Sequence, residues 1–173
     1  YLSSEETLSV HYDILDTEAI VAKIEAMGDA LSVVVLECPT NPFCQIADLK
    51  LIAECVHRHG GLLLIDPSIV SLYNIDCFPY ADVLVTSLTK YAAHTGDVMA
   101  GAILFNEASP VYLELKKQGI EYTLPLDDLD TLALNKTLQS AESHVQTMNS
   151  NCRALVDFLK SHSKIKKVFS VQE

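Results

Sequence analysis

The sequence predicts an α/β fold: a mostly parallel sheet with flanking helices, ending in a long helix. Two observations predict it. Short apolar runs alternate along the chain with segments whose apolar residues recur every three to four positions, and such strand–helix–strand units build parallel sheets with right-handed crossovers. The composition is that of a chain with a core, 49% hydrophobic and 20% charged over 173 residues, well away from the polar, highly charged make-up of disordered chains.

In chain order, residues 9–15 read as a strand, followed by a helix from about Thr17 to Met27. Ile20, Val21, Ile24 and Met27 hold the spacing of one buried helix face. Leu31 to Leu36 is an unbroken apolar run, as expected of a strand covered on both sides. A loop with two prolines, Cys38-Pro39-Thr40-Asn41-Pro42, comes next. A second helix spans about Asp48 to His59, with Leu49, Ile52, Ala53 and Val56 facing inward and Gly60-Gly61 ending it. Strands are expected at 62–65, 82–86 and 101–105, and a short helix at about 110–118. From about Leu129 to Ser161 a stripe of Leu132, Leu138, Ala141, Val145, Met148, Cys152, Leu155 and Leu159 predicts one helix of about nine turns. After Val168-Phe169 a further strand is expected to begin. No internal repeat or low-complexity segment is visible.

Charge and cysteine content narrow the function classes. A formal net charge of −11 argues against a nucleic-acid surface, and the one compact basic run, Lys164-Ile165-Lys166-Lys167, reads as a solvated helix exit. No apolar stretch reaches the ~18 residues of a membrane span, and no signal peptide opens the chain. The five cysteines (38, 44, 55, 77 and 152) show no CxxC and no Cys/His ligand spacing. They predict reduced thiols of a cytoplasmic protein, with neither a disulfide framework nor a metal site. The chain opens on Tyr1 with no initiator methionine, so a processed or cut N-terminus is expected.

The chemistry-bearing pair is Asp66 and Lys90, each closing an apolar run, Leu62 to Ile65 and Val83 to Thr89. Ligands bind at the carboxyl ends of strands in an open parallel sheet, so an acid and an amine delivered there can face one molecule. A lysine and a carboxylate are the pairing that pyridoxal phosphate needs: the amine forms a Schiff base, and the acid keeps the pyridine nitrogen protonated. Ser87 and Thr89 place two hydroxyls just before the amine, as phosphate ligands or simply as strand-ending residues. Asn41 can donate its amide to the phenolic oxygen of such a ring, or bond its own backbone in a turn. Asp97 starts a strand or holds the lysine loop, and His94 reads as an exposed loop residue.

Taken together, Glu37-Cys38-Pro39-Thr40-Asn41-Pro42, Leu64-Ile65-Asp66, Ser87-Leu88-Thr89-Lys90-Tyr91 and Asp97-Val98-Met99-Ala100-Gly101 resemble the Cys/Met-metabolism family of pyridoxal-phosphate enzymes. The resemblance spans most of the chain and implies the large domain of fold type I. Residues 1–128 would be the cofactor domain, and 129–173 the connecting helix and the start of a C-terminal domain. It further implies Lys90 as Schiff-base lysine and proton shuttle, Asp66 as partner of the pyridinium, Ser87 and Thr89 at the phosphate, and Asn41 at the ring oxygen. Asn74-Ile75-Asp76 and Pro79-Tyr80-Ala81-Asp82 are most similar to cystathionine γ-synthases. The implied reaction is then γ-replacement on an activated homoserine ester by cysteine, in a homo-oligomer acting on small amino acids.

Two departures stand beside the likeness. Asp66-Pro67-Ser68 replaces the Asp-Asn-Thr of many members. The glycine-containing phosphate turn, the stacking aromatic ring, the intersubunit tyrosine and arginine, and the arginine for the substrate carboxylate have no counterpart. These point to a segment of a longer enzyme that is inactive alone. Other reactions of the family (cystathionine γ- or β-lyase, methionine γ-lyase, homoserine-ester sulfhydrylase) and a non-catalytic α/β interaction module are the alternatives.

Overall fold

The computed structural model describes residues 13–170. The expected first strand lies mostly outside that range, and its last described residues turn instead: the Asp16 N–H donates to the Asp13 carbonyl. Asp16 then caps α1 (Thr17–Met27), its carboxylate accepting from the Ala19 N–H. Asp48 caps α2 (Leu49–Arg58) in the same way through the Leu51 N–H. Each cap satisfies an amide that the first helical turn leaves free.

Four strands follow the expected positions: β1 (Val33–Glu37), β2 (Leu62–Asp66), β3 (Val83–Ser87) and β4 (Gly101–Phe105). They lie side by side in the order β1-β2-β3-β4. The first three are parallel, and β4 returns antiparallel along β3, with Ser87 opposite Gly101. The sheet is therefore mixed and mostly parallel, as the sequence predicts.

The two faces of the sheet differ. Leu36, Leu63, Ile65 and Leu84 lie on the face covered by α1 and α2, and there they join Ile20, Ile24, Ile52 and Val56 in one core. Ile52, Leu63, Ile65 and Leu84 are less than 2% exposed, and burying each contributes about 1.5–3 kcal/mol. On the other face Val33 and Val35 are 41% and 55% exposed. The reading of β1 as a strand covered on both sides is corrected here. Among the described residues only α3 (Tyr112–Tyr122) packs on this second face, over β4, where Gly119 allows the Phe105 ring to approach the helix backbone. That helix also begins two residues later than the sequence suggested and runs four further.

The single long helix is a second correction. The chain forms α4 (Asp128–Leu138) and α5 (Ala141–Ser161), broken at Gln139 and Ser140. Neither glycine nor proline makes the break. Ser140 donates both its N–H and its hydroxyl to the Thr137 carbonyl, and Thr137 turns its own hydroxyl onto Ala133 and Leu134. Such local bonds offer the backbone an alternative to the helical ladder. The buried stripe is then Leu134, Ala141, Val145 and Val156, while Leu132, Met148 and Leu155 stay exposed. Asn149 on α5 and Asn74 exchange a reciprocal pair of amide hydrogen bonds, at 2.8 and 3.1 Å. Residues 162–170 form no strand, so the strand expected after Val168-Phe169 is not found among the described residues.

Candidate active site

Parallel pairing puts the carboxyl ends of β1, β2 and β3 at one end of the sheet, and antiparallel β4 begins there. Glu37 and Asp66 are register partners. Side-chain alternation aims Asp66 and Ser87 to the sparsely covered face, and both are half-buried. Lys90 lies three residues past Ser87, exposed, and Asn41 sits in the turn after β1, also exposed. The strand ends thus bring Asp66, Ser87 and Lys90 to one end, with Asn41 at its rim.

Several hydrogen bonds fix these loops. The Ser68 N–H donates to Asp66 Oδ1 at 2.9 Å, and the Ser68 hydroxyl accepts the Ser87 N–H at 2.7 Å. Ser68 therefore ties the end of β2 to the end of β3. Tyr91, next to the lysine, donates its hydroxyl to the Ile69 carbonyl. Burial pushes the Tyr91 phenol above its ordinary pKa, with Cys44 adding to the rise, so it stays a donor. The Asn41 N–H reaches Glu37 Oε2 at 3.3 Å.

Thr89 is engaged within its own loop. Its hydroxyl accepts the Ala100 N–H at 2.9 Å and lies 3.3 Å from the Ala100 carbonyl. It closes the lysine loop onto the residue before β4. Asp97 accepts the Thr95 hydroxyl and so holds that loop, one of the two roles considered for it; β4 starts only at Gly101. Ala92, Ala93 and Val98 pack with Leu134 in a small second core, which seats the loop on α4. His94 is half-buried rather than exposed, its ring stacked on His144 of α5 at 4.3 Å.

The polar groups left over are chemically suggestive. Among the described residues, the Lys90 ammonium, the Ser87 hydroxyl and the Asn41 amide have no hydrogen-bond or ion-pair partner, and Asp66 keeps Oδ2 free. One amine, one carboxylate, one hydroxyl and one amide at a common sheet end fit a ligand carrying an aldehyde, a ring nitrogen, a phosphate and a phenolic oxygen. A depression of about 400 Å³ lined by Glu107, Ser109 and Tyr112 lies at the opposite end of the sheet, past Phe105. It has no part in this arrangement.

Sequence reasoning missed Ser68 and Tyr91. The spacing of Ser68 two residues after an aspartate is a visible turn signal. The Tyr91 bond to Ile69 spans 22 residues and has no local signature.

Comparison with known proteins gives a family. The model for "Cys/Met metabolism PLP-dependent enzyme" matches residues 3–172. A cystathionine gamma-synthase-like enzyme of Amanita muscaria is 29% identical over 157 residues, covering 88% of this chain and 26% of that protein. A chloroplastic cystathionine beta-lyase of Arabidopsis thaliana is 33% identical over 153 residues, covering 83% of this chain and 31% of the relative. The chain thus spans about a third or less of the length of these two relatives. In fold, it is similar to the crystal structure of cystathionine gamma synthase from Xanthomonas oryzae, with a TM-score of 0.81 at 23% identity, covering 92% of this chain and 41% of the other.

Proposed function

The chain belongs to the Cys/Met metabolism PLP-dependent enzyme family, and from that premise we propose that it is the cofactor-binding part of a cystathionine γ-synthase-like enzyme. The reaction is γ-replacement on an activated homoserine ester, with cysteine as the incoming nucleophile. The observation that carries the reading is the convergence of Asp66, Ser87 and Lys90 at the carboxyl ends of neighbouring strands, with the Lys90 ammonium unpartnered among the described residues.

Pyridoxal phosphate supplies an aldehyde for covalent attachment and a pyridinium ring that accepts electrons. The chain's own residues do the rest. Lys90 would hold the cofactor through Nζ and, when freed, would serve as the base and acid for protons at the substrate's α- and β-carbons. Asp66 would pair with the ring nitrogen and favour its protonated form. Ser87 would donate to the phosphate, and Asn41 to the ring oxygen. Thr89 contributes through its grip on Ala100, and its hydroxyl reaches the phosphate only if it exchanges that partner. Residues 1–128 are the cofactor domain, and 129–173 lead towards a C-terminal domain. The unpaired cysteines suit a reducing compartment such as the cytoplasm.

The β-lyase relative at 33% identity favours a second reading, elimination from cystathionine by the same lysine. Two experiments separate the possibilities. Saturating pyridoxal phosphate with borohydride reduction and peptide mapping should label Lys90, and a label confined to another lysine would sink the site. Assay of the complete enzyme with an activated homoserine ester should form cystathionine when cysteine is added. Release of pyruvate from cystathionine, with no product from the ester, would establish the lyase instead.

A further inference from the structure

A second cluster of reactive side chains sits where α1 packs against the end of α2, away from the strand ends. Cys55 lies in the last turns of α2, and His59, four residues on, is the residue that caps its end. Glu25, 30 residues earlier, comes to them from α1. One ligating atom of each lies within 4.8 Å of the others. The His59 Nε2 is 2.9 Å from Glu25 Oε2, and the Cys55 thiol donates to Glu25 Oε1 at 3.4 Å.

We propose that Glu25, Cys55 and His59 form a zinc site that clamps α1 to α2. Tetrahedral zinc, with bonds of about 2.0–2.3 Å, separates its ligand atoms by about 3.3–3.8 Å. The His59–Glu25 spacing of 2.9 Å falls below that range and the Cys55–Glu25 spacing of 3.4 Å within it, so a small outward rotation of the side chains admits the ion. Thiolate, imidazole and carboxylate together are a donor set for zinc, whereas magnesium and calcium take oxygen ligands. Arg58 donates to Glu25 Oε1, which leaves Oε2 for the metal and orients the carboxylate from outside, as outer-shell partners do. Cys55 is fully buried while the Glu25 side chain is 42% exposed. Three corners are thus protein and the fourth faces water. On binding, the Cys55 S–H bond breaks, the proton leaves to solvent, and a zinc–sulfur bond forms with no change of oxidation state. An ion-pair clamp would need only Glu25, Arg58 and His59; the thiol turned onto the same carboxylate is the additional feature. The expectation of no metal passed over the Cys55-x3-His59 spacing and had no view of Glu25, which comes from another helix.

The test is a titration of the reduced, chelator-stripped chain with zinc against a chromophoric chelator, with cobalt(II) as an optical probe. Wild type should take up one equivalent and show a thiolate-to-cobalt charge-transfer band. Cys55→Ser should abolish the band, and Glu25→Gln, at an exposed position, should weaken uptake by about tenfold or more. Cys44→Ser and Cys152→Ser should leave both unchanged, with circular dichroism checking the fold of each variant. Absence of stoichiometric uptake by wild type, or a band that survives Cys55→Ser, would overturn the proposal.

Discussion

Asp82 shows how one residue can matter without belonging to the site. It is 4% exposed at the start of β3, and its carboxylate accepts from the Leu63 N–H at 2.8 Å, the Ser109 hydroxyl at 2.6 Å and His57 at 2.9 Å. Burial alone would raise its pKa; the Leu63, Ser109 and His57 contacts overcome that and hold it below the usual carboxylate value. A carboxyl depressed in the folded state stabilises at pH above its unfolded pKa, and that contribution is lost as pH falls through the lower folded pKa. The chain should therefore lose stability in acid below about pH 4. Asp82→Asn should cost about 1–3 kcal/mol at neutral pH, because the bonds from Leu63, Ser109 and His57 lose the charge that strengthens them. It should also flatten the acid limb, as urea midpoints across a pH series would show; an unchanged limb would assign the acid sensitivity elsewhere. Thr89→Val should cost about 0.5–1.5 kcal/mol without any cofactor present, because it removes the hydroxyl that holds Ala100. Denaturation of the cofactor-free chain checks this, and a neutral result would leave Thr89 for ligand binding alone.

Among the elements, α2 and the α4–α5 pair are set by different forces. Gly60 ends α2 with φ of +70°, and a Cβ there would meet nothing within 4 Å. Gly60→Ala should therefore measure left-handed backbone strain by itself, about 1 kcal/mol of lost stability in urea. A stabilising result would mean that the turn relaxes. The corner between α4 and α5 is held by packing as well as by the Ser140 bonds. Ala141 is fully buried at the first position of α5. Ala141→Leu overpacks that corner and should cost about 1–3 kcal/mol. A smaller loss of stability would show that α5 can ride outward freely.

For the whole molecule, the two faces of the sheet are unequally covered. Helices α1 and α2 cover one face, while Val33, Val35 and Ile103 on the other are 41%, 55% and 46% exposed. Lys90 and Asn41 are exposed beside it, so a ring held there would keep water on one side. The phosphate would meet few charge-assisted donors, each worth about 1.5–3 kcal/mol. The 173-residue chain alone is therefore expected to hold pyridoxal phosphate weakly and without turnover. Its exposed apolar strip should drive self-association, visible as a sedimentation coefficient that rises with concentration. Stoichiometric labelling of Lys90 at micromolar cofactor would contradict this expectation.

The four strands β1 to β4, the helices α1 and α2, and the placing of Asp66, Ser87 and Lys90 at or just beyond strand ends were legible in the sequence. Each rests on local periodicity, on a helix-ending glycine pair, or on the rule that strands and crossovers alternate. Ile20 and Ile24, Ile52 and Val56 mark the inward faces of their helices, and Asp66 and Lys90 close their apolar runs. What packs against what was not legible. An unbroken apolar run such as Leu31 to Leu36 looks alike whether one face is covered or two, and only the positions of α1, α2 and α3 exposed Val33 and Val35. The stripe from Leu132 to Leu159 kept helical spacing through a corner that carries no glycine or proline, so Ser140 and Thr137 could break it unannounced. Thr89 turning to Ala100, Tyr91 reaching Ile69, and Glu25 meeting Cys55 and His59 each join residues 11 to 34 positions apart. Such pairings come from the way the elements stack, because a side chain's partner is fixed by where its neighbours finish in space.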